Sequence, residues 1–291
     1  MIWIIGAKGM LGHDVSLTLE KSGLTCYGSD KEVDILSPSA LAAKAEEISP
    51  DWIVNCSAYT AVDRAEDETE LAYKLNRDGV GNIARLANKL DIPVIHISTD
   101  YVFDGTSETP LAEDAPTGPI SVYGKSKLAG DKVLMDTCEK VFIIRTAWLY
   151  GQFGSNFVYT MIKLMNKLDT LKVVADQKGS PTWSRDLAGL IATIIQADST
   201  EYGIFHYSGE EDCSWYDFAR EIYREGKETG LISGNCLINP CSSSEFPTKA
   251  TRPAYSLLSK DKVKTVFSIS VPKWQDSIKI FMKGINNNDI I

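Results

Sequence analysis

Ile2-Trp3-Ile4-Ile5-Gly6-Ala7-Lys8-Gly9-Met10-Leu11-Gly12 is the stretch that sets the architecture of this chain. Four apolar residues run unbroken into a glycine, the pattern of a strand buried on both faces. The glycines recur as Gly-x-x-Gly-x-x-Gly, with one residue more in the first gap than the usual Gly-x-Gly-x-x-Gly dinucleotide fingerprint. Behind them Leu11, Val15, Leu17 and Leu19 mark a helix from Met10 to about Lys21. Strand, glycine loop and helix in this order leave backbone N–H groups free at a helix N-terminus, where a pyrophosphate binds. Gly6, Lys8, Gly9, Met10, Leu11 and Gly12 are therefore candidate cofactor contacts. The same residues also read as a plain glycine turn, but their place at the head of a β-α-β pattern favours a nucleotide.

That pattern continues down the chain. Leu24–Gly28, Trp52–Asn55, Pro93–Ser98 and Val141–Arg145 read as strands. Leu41–Ile48, a helical stretch within Ala65–Leu90, and Tyr123–Met135 read as the helices between them. The alternation predicts an α/β fold, a doubly wound parallel sheet of the Rossmann type. After about Tyr150 the alternation weakens, and turn-rich stretches such as Gly179-Ser180-Pro181-Thr182 and Asn239–Ser244 appear. Residues 1–150 are expected to form a dinucleotide-binding domain. Residues 151–291 are expected to form a smaller, mixed α/β substrate-binding portion, with about 185–197 returning to the first domain.

Composition narrows the function. The chain has 291 residues, 44% of them hydrophobic and 24% charged, as in an ordinary globular protein. A formal net charge of -9 and no long basic run argue against nucleic acid and anionic membrane as partners. Six cysteines without a Cys-x-x-Cys pair, and three histidines, offer no zinc-ligand spacing. Reduced cysteines and the absence of a signal peptide or membrane span predict a cytoplasmic protein.

Asp30 stands at the end of the second strand, where an acidic residue reaches ribose hydroxyls and favours NAD. Lys8 and Lys31 beside it suit a 2′-phosphate instead, so both NADPH and NADH remain open. Asp34 and Ile35 are placed against the adenine edge. Ser98-Thr99-Asp100-Tyr101 follows the fourth strand, at the carboxyl end where such sheets bind ligands. Tyr123-Gly124-Lys125-Ser126-Lys127 sets a phenol and an ammonium one helical turn apart. An adjacent ammonium is expected to lower the phenol pKa toward neutrality, making Tyr123 an acid or base. Ser98 is the alternative hydroxyl to Thr99, although strand alternation points the two to opposite faces.

With Thr99, Tyr123 and Lys127 in this order, the chain resembles the extended short-chain dehydrogenase/reductase superfamily. Within it the closer resemblance is to the dTDP-4-dehydrorhamnose reductases. It rests on the glycine loop, Asn55–Asp63, Ser98–Gly105, Tyr123–Gly130, Arg145–Gly151, Gly179–Thr182 and Thr251-Arg252-Pro253, in order along nearly the whole chain. The resemblance implies reduction of the C4 ketone of dTDP-4-dehydro-β-L-rhamnose by a nicotinamide cofactor. It implies that Tyr123 protonates the ketone oxygen, that Thr99 orients it, and that Lys127 tunes Tyr123 and bonds the nicotinamide ribose. It places Ala58 and Tyr59 on the nicotinamide side. Trp148 and Asn156 would approach the sugar, Thr182 and Trp183 border it, and Arg252 approach the diphosphate or its surroundings.

The resemblance also carries a contrast. Some members are metal-linked dimers that use glutamates, and Asp14 and Arg185 stand at the matching positions here. No metal is expected, and monomer and homodimer both remain open. Two other functions share these motifs: a nucleotide-sugar epimerase or dehydratase that keeps its cofactor, and a non-catalytic regulatory subunit of methionine adenosyltransferase.

Overall fold

The structure, a computed structural model, describes residues 1–290. The chain opens with β1 (Ile2–Ile5), α1 (Met10–Lys21), β2 (Cys26–Ser29), α2 (Pro38–Ile48) and β3 (Trp52–Asn55). Next come α3 (Val62–Ala65), α4 (Thr69–Tyr73), a π-helical turn (Lys74–Gly79), α5 (Val80–Leu90) and β4 (Val94–Thr99). Then follow α6 (Val122–Thr137), β5 (Val141–Thr146), β6 (Leu149–Tyr150), α7 (Phe157–Lys167) and β7 (Thr170–Val174). The short β8 (Lys178–Gly179) and β9 (Thr182–Trp183) precede α8 (Ser184–Gln196) and β10 (Gly203–His206). The chain finishes with β11 (Cys213–Ser214), α9 (Trp215–Thr229), β12 (Leu237–Cys241), α10 (Asp261–Phe267) and α11 (Trp274–Gly284).

Six parallel strands form one sheet in the order β10-β5-β4-β3-β1-β2. The apolar strand residues alternate between its faces. Ile2, Ile4, Val54, Ile95 and Ile144 meet Leu11, Val15 and Leu19 of α1 and Leu187, Ile191 and Ile194 of α8. Trp3, Ile5, Ile53 and Ile143 meet Leu41 of α2 and Ile83, Ala84 and Ala87 of α5. This is the doubly wound α/β sheet that the continuous apolar runs require, since neither face is left to water. The strand order reverses between β1 and β3, which opens a crevice outside their carboxyl ends. Among the described residues no helix is long and apolar enough to cross a membrane.

Two features depart from the sequence reading. The helical stretch before β4 is broken into α3, α4, the π turn and α5 rather than running as one element. The π turn aims Asn76 inward, where its amide spans Tyr59 and Ser126; such bulges recur beside functional sites. The sixth strand, β10, comes from the late part of the chain and pairs with β5. A second apolar core gathers α7, α9 and α11 around Tyr150, Met161, Phe218, Ile222 and Phe281.

Candidate active site

The glycine loop is shaped by close backbone approach. Gly6 takes φ +83°, and a Cβ on Gly12 would lie 2.2 Å from the Gly6 carbonyl oxygen. Gly9 caps α1 with no side-chain hydrogen bond, so the first-turn N–H groups of α1 are not taken up by a cap. Leu11 sends its side chain into the core, leaving only its backbone to the loop. Beside this helix end lies a cavity of about 310 Å³ lined by Gly6, Gly9, Asp30, Asp34, Ile35 and Ala58, among others. A glycine-lined turn, a bare helix N-terminus and an adjoining cavity at the switch point together fit a dinucleotide.

The acidic rim of the cavity is internally bonded. Asp30 accepts hydrogen bonds from the backbone N–H of Lys8 (3.2 Å) and Lys31 (2.8 Å). Glu32 accepts from the Asp30 N–H and draws the Lys8 ammonium to 3.3 Å. Lys8 is therefore engaged by a carboxylate, while Lys31 lines the cavity. Asp34 caps its own turn by accepting from Leu36 N–H (2.9 Å). Tyr59 does not line the cavity as Ala58 does. Its hydroxyl donates to Glu68 (2.5 Å) and its N–H to Asn76 (2.8 Å).

Thr99 ends β4, and Ser121 caps α6 by accepting from Gly124 N–H at 3.1 Å. A Cβ on Gly124 would fall 2.1 Å from the Tyr101 carbonyl oxygen, so glycine lets α6 press against the turn after β4. This brings Tyr123 beside Thr99, whose hydroxyl favours the ionised phenol. Thr99 also donates to Asp100 (3.0 Å) and accepts from Tyr101 N–H (3.2 Å). The rings of Tyr101 and Tyr123 meet edge to face, 5.5 Å between centroids. Ser98 points the other way and donates to Asp131 (2.6 Å).

The electrostatics differ from the expectation for a Tyr-Lys pair. Withdrawal from water outweighs Thr99 and pushes the Tyr123 phenol above its ordinary value, with Asp100 and Asp131 adding to the rise. Lys127 does not lower it, because its amine turns to the back wall. There it donates to Ile97 O at 2.7 Å and stands 3.2 Å from His96 Nε2. Burial pulls the Lys127 ammonium down to about 8, against the pull of the Asp131 carboxylate.

On the other side of the site Trp148 holds a left-handed backbone, φ 48°, and stacks on Trp215 with centroids 3.7 Å apart. Trp215 also walls a cavity of about 660 Å³ with Phe157, Phe246, Lys172 and Arg252. Arg252 grips Asp63 with both ends of its fork, at 3.2 and 3.0 Å. Two expected sugar contacts also hold the local structure. Asn156 caps α7 by accepting from Tyr159 N–H and donates to Gly151 O. Thr182 is buried, donates to Ala147 O (2.7 Å) and accepts from Thr146. Trp183 is buried in the second core, under the Arg185 guanidinium. Asp14 is buried, accepts from the Ser184 hydroxyl, and is pushed up by desolvation.

His96, Asn55, Asp131, Asp63 and Trp215 were not singled out from sequence. Asn55 and His96 did carry a signal: Asn55 is the polar end of an apolar strand, and His96 is a polar residue among Val94, Ile95 and Ile97.

The RmlD substrate binding domain model matches residues 1–287. A dTDP-4-dehydrorhamnose reductase of Aggregatibacter actinomycetemcomitans is 38% identical over 282 residues, 95% of this chain and 96% of that one. The crystal structure of a dTDP-4-dehydrorhamnose reductase from Clostridium acetobutylicum superposes with TM-score 0.91 at 39% identity, covering 97% of this chain and 98% of that one. The dTDP-4-dehydrorhamnose reductase of Bacillus anthracis, solved in complex with NADP, gives TM-score 0.91 at 36% identity over 98% and 99% of the two chains. By fold, motif order and sequence, the chain belongs to the RmlD substrate binding domain family.

Proposed function

We propose that this chain is an NAD(P)H-dependent dTDP-4-dehydrorhamnose reductase, converting dTDP-4-dehydro-β-L-rhamnose to dTDP-β-L-rhamnose for polysaccharide synthesis. The observation that carries the reading is the approach of Tyr123 to Thr99 at the carboxyl end of β4, with Lys127 one helical turn behind, one strand from the glycine-lined crevice. The relatives named above support the substrate.

A nicotinamide cofactor would be held by the Gly6–Gly12 backbone, by Asp30 or Lys31 at its adenosine ribose, by Asp34 and Ile35 at its adenine and by Ala58 near its nicotinamide. When bound and reduced, it supplies the hydride for the C4 carbonyl. Tyr123 supplies the proton. Its phenol, held neutral by desolvation, is in the protonation state that a donor to a developing alkoxide needs. Thr99, by turning its hydroxyl from Asp100 to the substrate, would steady charge on the same oxygen. Lys127, with an ammonium that titrates near 8, stands one helical turn from Tyr123 and would have to leave Ile97 O to reach the phenol or the nicotinamide ribose. Arg252 lines the larger cavity and would meet the diphosphate by exchanging the two Asp63 oxygens for two phosphate oxygens on the same guanidinium fork. Trp148 and Trp215 offer the sugar nucleotide an aromatic wall.

A cofactor-oxidation assay with dTDP-4-dehydro-β-L-rhamnose, run with NADPH and with NADH, tests the proposal. Stoichiometric oxidation by one or both supports it. No oxidation with any nucleotide 4-keto sugar, or turnover with no net change in cofactor, overturns it.

A further inference from the structure

Behind the Tyr-Lys pair lies a buried polar cluster that the reaction scheme above does not use. Asn55 begins it. Its Oδ1 accepts from the backbone N–H of Ser57 (3.1 Å) and from the Ser57 hydroxyl (2.6 Å). A backbone N–H only donates, so the oxygen of the Asn55 amide must face Ser57. The Nδ2 end then faces His96 Nδ1, 3.0 Å away, and donates to it. His96 is fully buried, and desolvation and the neighbouring Lys127 hold it well below its ordinary pKa. A neutral imidazole whose Nδ1 accepts carries its proton on Nε2. That Nε2 lies 3.2 Å from Lys127 Nζ.

An ammonium has no lone pair to receive this N–H, whereas an amine has one. We propose that His96 is a positioning residue that sets the protonation state of Lys127, its Nε2–H being turned onto the lysine nitrogen by the hydrogen bond from Asn55. The proposal deepens the reductase reading and rests on it for the role of Lys127. In the neutral form the amine donates one hydrogen to Ile97 O while its lone pair receives the imidazole N–H.

The other groups facing Lys127 define what His96 works against. Asp131, on the same helix, favours the ammonium, as does Cys56 in the loop after β3, by smaller amounts than burial opposes it. Asp131 is itself shared: Ser98 donates to its Oδ2, Arg145 Nε of β5 lies 3.9 Å from the same oxygen, and His96 Nε2 lies 3.7 Å from Oδ1. Among the described residues Oδ1 has no hydrogen-bond partner. The balance between a carboxylate one turn away and an imidazole N–H in contact poises the lysine to exchange its proton.

The test reads the resting protein first. In protein made with isotope-labelled histidine, long-range proton–nitrogen spectra report the tautomer directly, and His96→Gln identifies the signal. The expected result is a bare Nδ1 and a protonated Nε2; the reverse tautomer overturns the proposal. Asn55→Asp preserves the bonds to Ser57 but offers His96 an acceptor, so the imidazole proton moves to Nδ1 and Nε2 can accept from the ammonium. The Lys127 Nζ titration, followed with nitrogen-labelled lysine, should then rise by about one pH unit, and the basic limb of kcat/KM with it. His96→Gln, which can turn an amide oxygen to the lysine, should shift the titration in the same direction. An unchanged Lys127 titration in either folded variant overturns the proposal. None of the resonance measurements needs turnover, so failure of the reductase assay leaves them readable and counts only against the reductase reading.

Discussion

Arg252 and Asp63 are joined by a two-pronged ion pair, with Nη1–Oδ1 at 3.2 Å and Nη2–Oδ2 at 3.0 Å. The two residues are far apart in sequence, and the pair ties the segment before α10 to the start of α3. Asp63 also accepts from Ala250 N–H, and Lys249 pairs with Asp67 alongside. The Arg252 fork, the largest cause, holds the Asp63 carboxyl below its usual range. A depressed carboxylate contributes stability that is present above its unfolded pKa of about 3.9 and is lost as pH falls through the folded value. Asp63→Asn should therefore lower the denaturation midpoint at neutral pH, and the gap to wild type should close on acidification below about pH 4. An equal gap at both pH values would show that the ion pair is not its source.

Tyr123→Phe removes the proposed proton donor and keeps the ring against Tyr101. Turnover should fall by roughly 10²–10⁴-fold, the usual worth of a positioned acid. Cofactor affinity, measured by fluorescence titration, should stay within about twofold of wild type, because the phenol is not what holds the diphosphate. Wild-type turnover in this variant would sink the acid assignment.

Gly12→Ala tests the loop. The new methyl would need to share space with the Gly6 carbonyl oxygen at 2.2 Å and the Ala7 Cα at 2.7 Å, both backbone atoms. Backbone has little room to yield, so a stability loss of about 1–3 kcal/mol in denaturant melts is expected. Nucleotide binding should weaken with it, since the loop and the bare end of α1 move together. Unaltered cofactor affinity in a folded variant would place the nucleotide elsewhere.

Asp100 supplies a test of buried charge next to Thr99. Burial pushes its carboxyl up to about 6, against the hydroxyls of Ser256 and Thr99. Here the folded pKa lies above the unfolded one, so the folded state holds the extra proton and wild-type stability falls as pH rises from about 4 to about 6. Asp100→Asn does not titrate. Its stability relative to wild type should climb across that window by on the order of 3 kcal/mol and level off above it. A relative stability that does not change from pH 4 to 7 would remove the carboxylate from the account.

Trp215→Ala takes away the stacking partner of Trp148 and one wall of the larger cavity. The KM for the sugar nucleotide should rise by about tenfold or more, as expected for loss of an aromatic contact and its buried area. Equal losses in cofactor binding and substrate KM would instead mean that the variant disturbs the whole fold.

Sequence disclosed most where the backbone itself makes the site. Ile2–Ile5 running into Gly6 could only be a two-sided strand feeding a turn, and the crevice at β1 and β3 follows from strand order. Tyr123 and Thr99 were legible because fixed elements carry them: the start of α6 and the end of β4. Side chains whose partners lie far along the chain were not. That Asn156 caps α7 and that Thr182 bonds the Ala147 carbonyl depends on neighbours that spacing along the chain does not disclose. Arg252 was expected at a phosphate, and nothing near it in sequence announces Asp63. The Tyr-Lys spacing implied an ammonium aimed at the phenol, yet burial beside His96 and the Ile97 carbonyl draws it backward. β10 escaped notice because a four-residue strand behind a polar turn has too little pattern to stand out.

Because β10 returns to lie against β5, this polypeptide resists being divided. A fragment ending near residue 150 would lack β10 and the cover of α8, leaving Val141–Thr146 with one row of unanswered amides and carbonyls and a greasy face open to water. Such a border recruits neighbouring molecules and precipitates. Excising the nucleotide-binding half for use by itself would thus require splicing residues 184–206 back onto it.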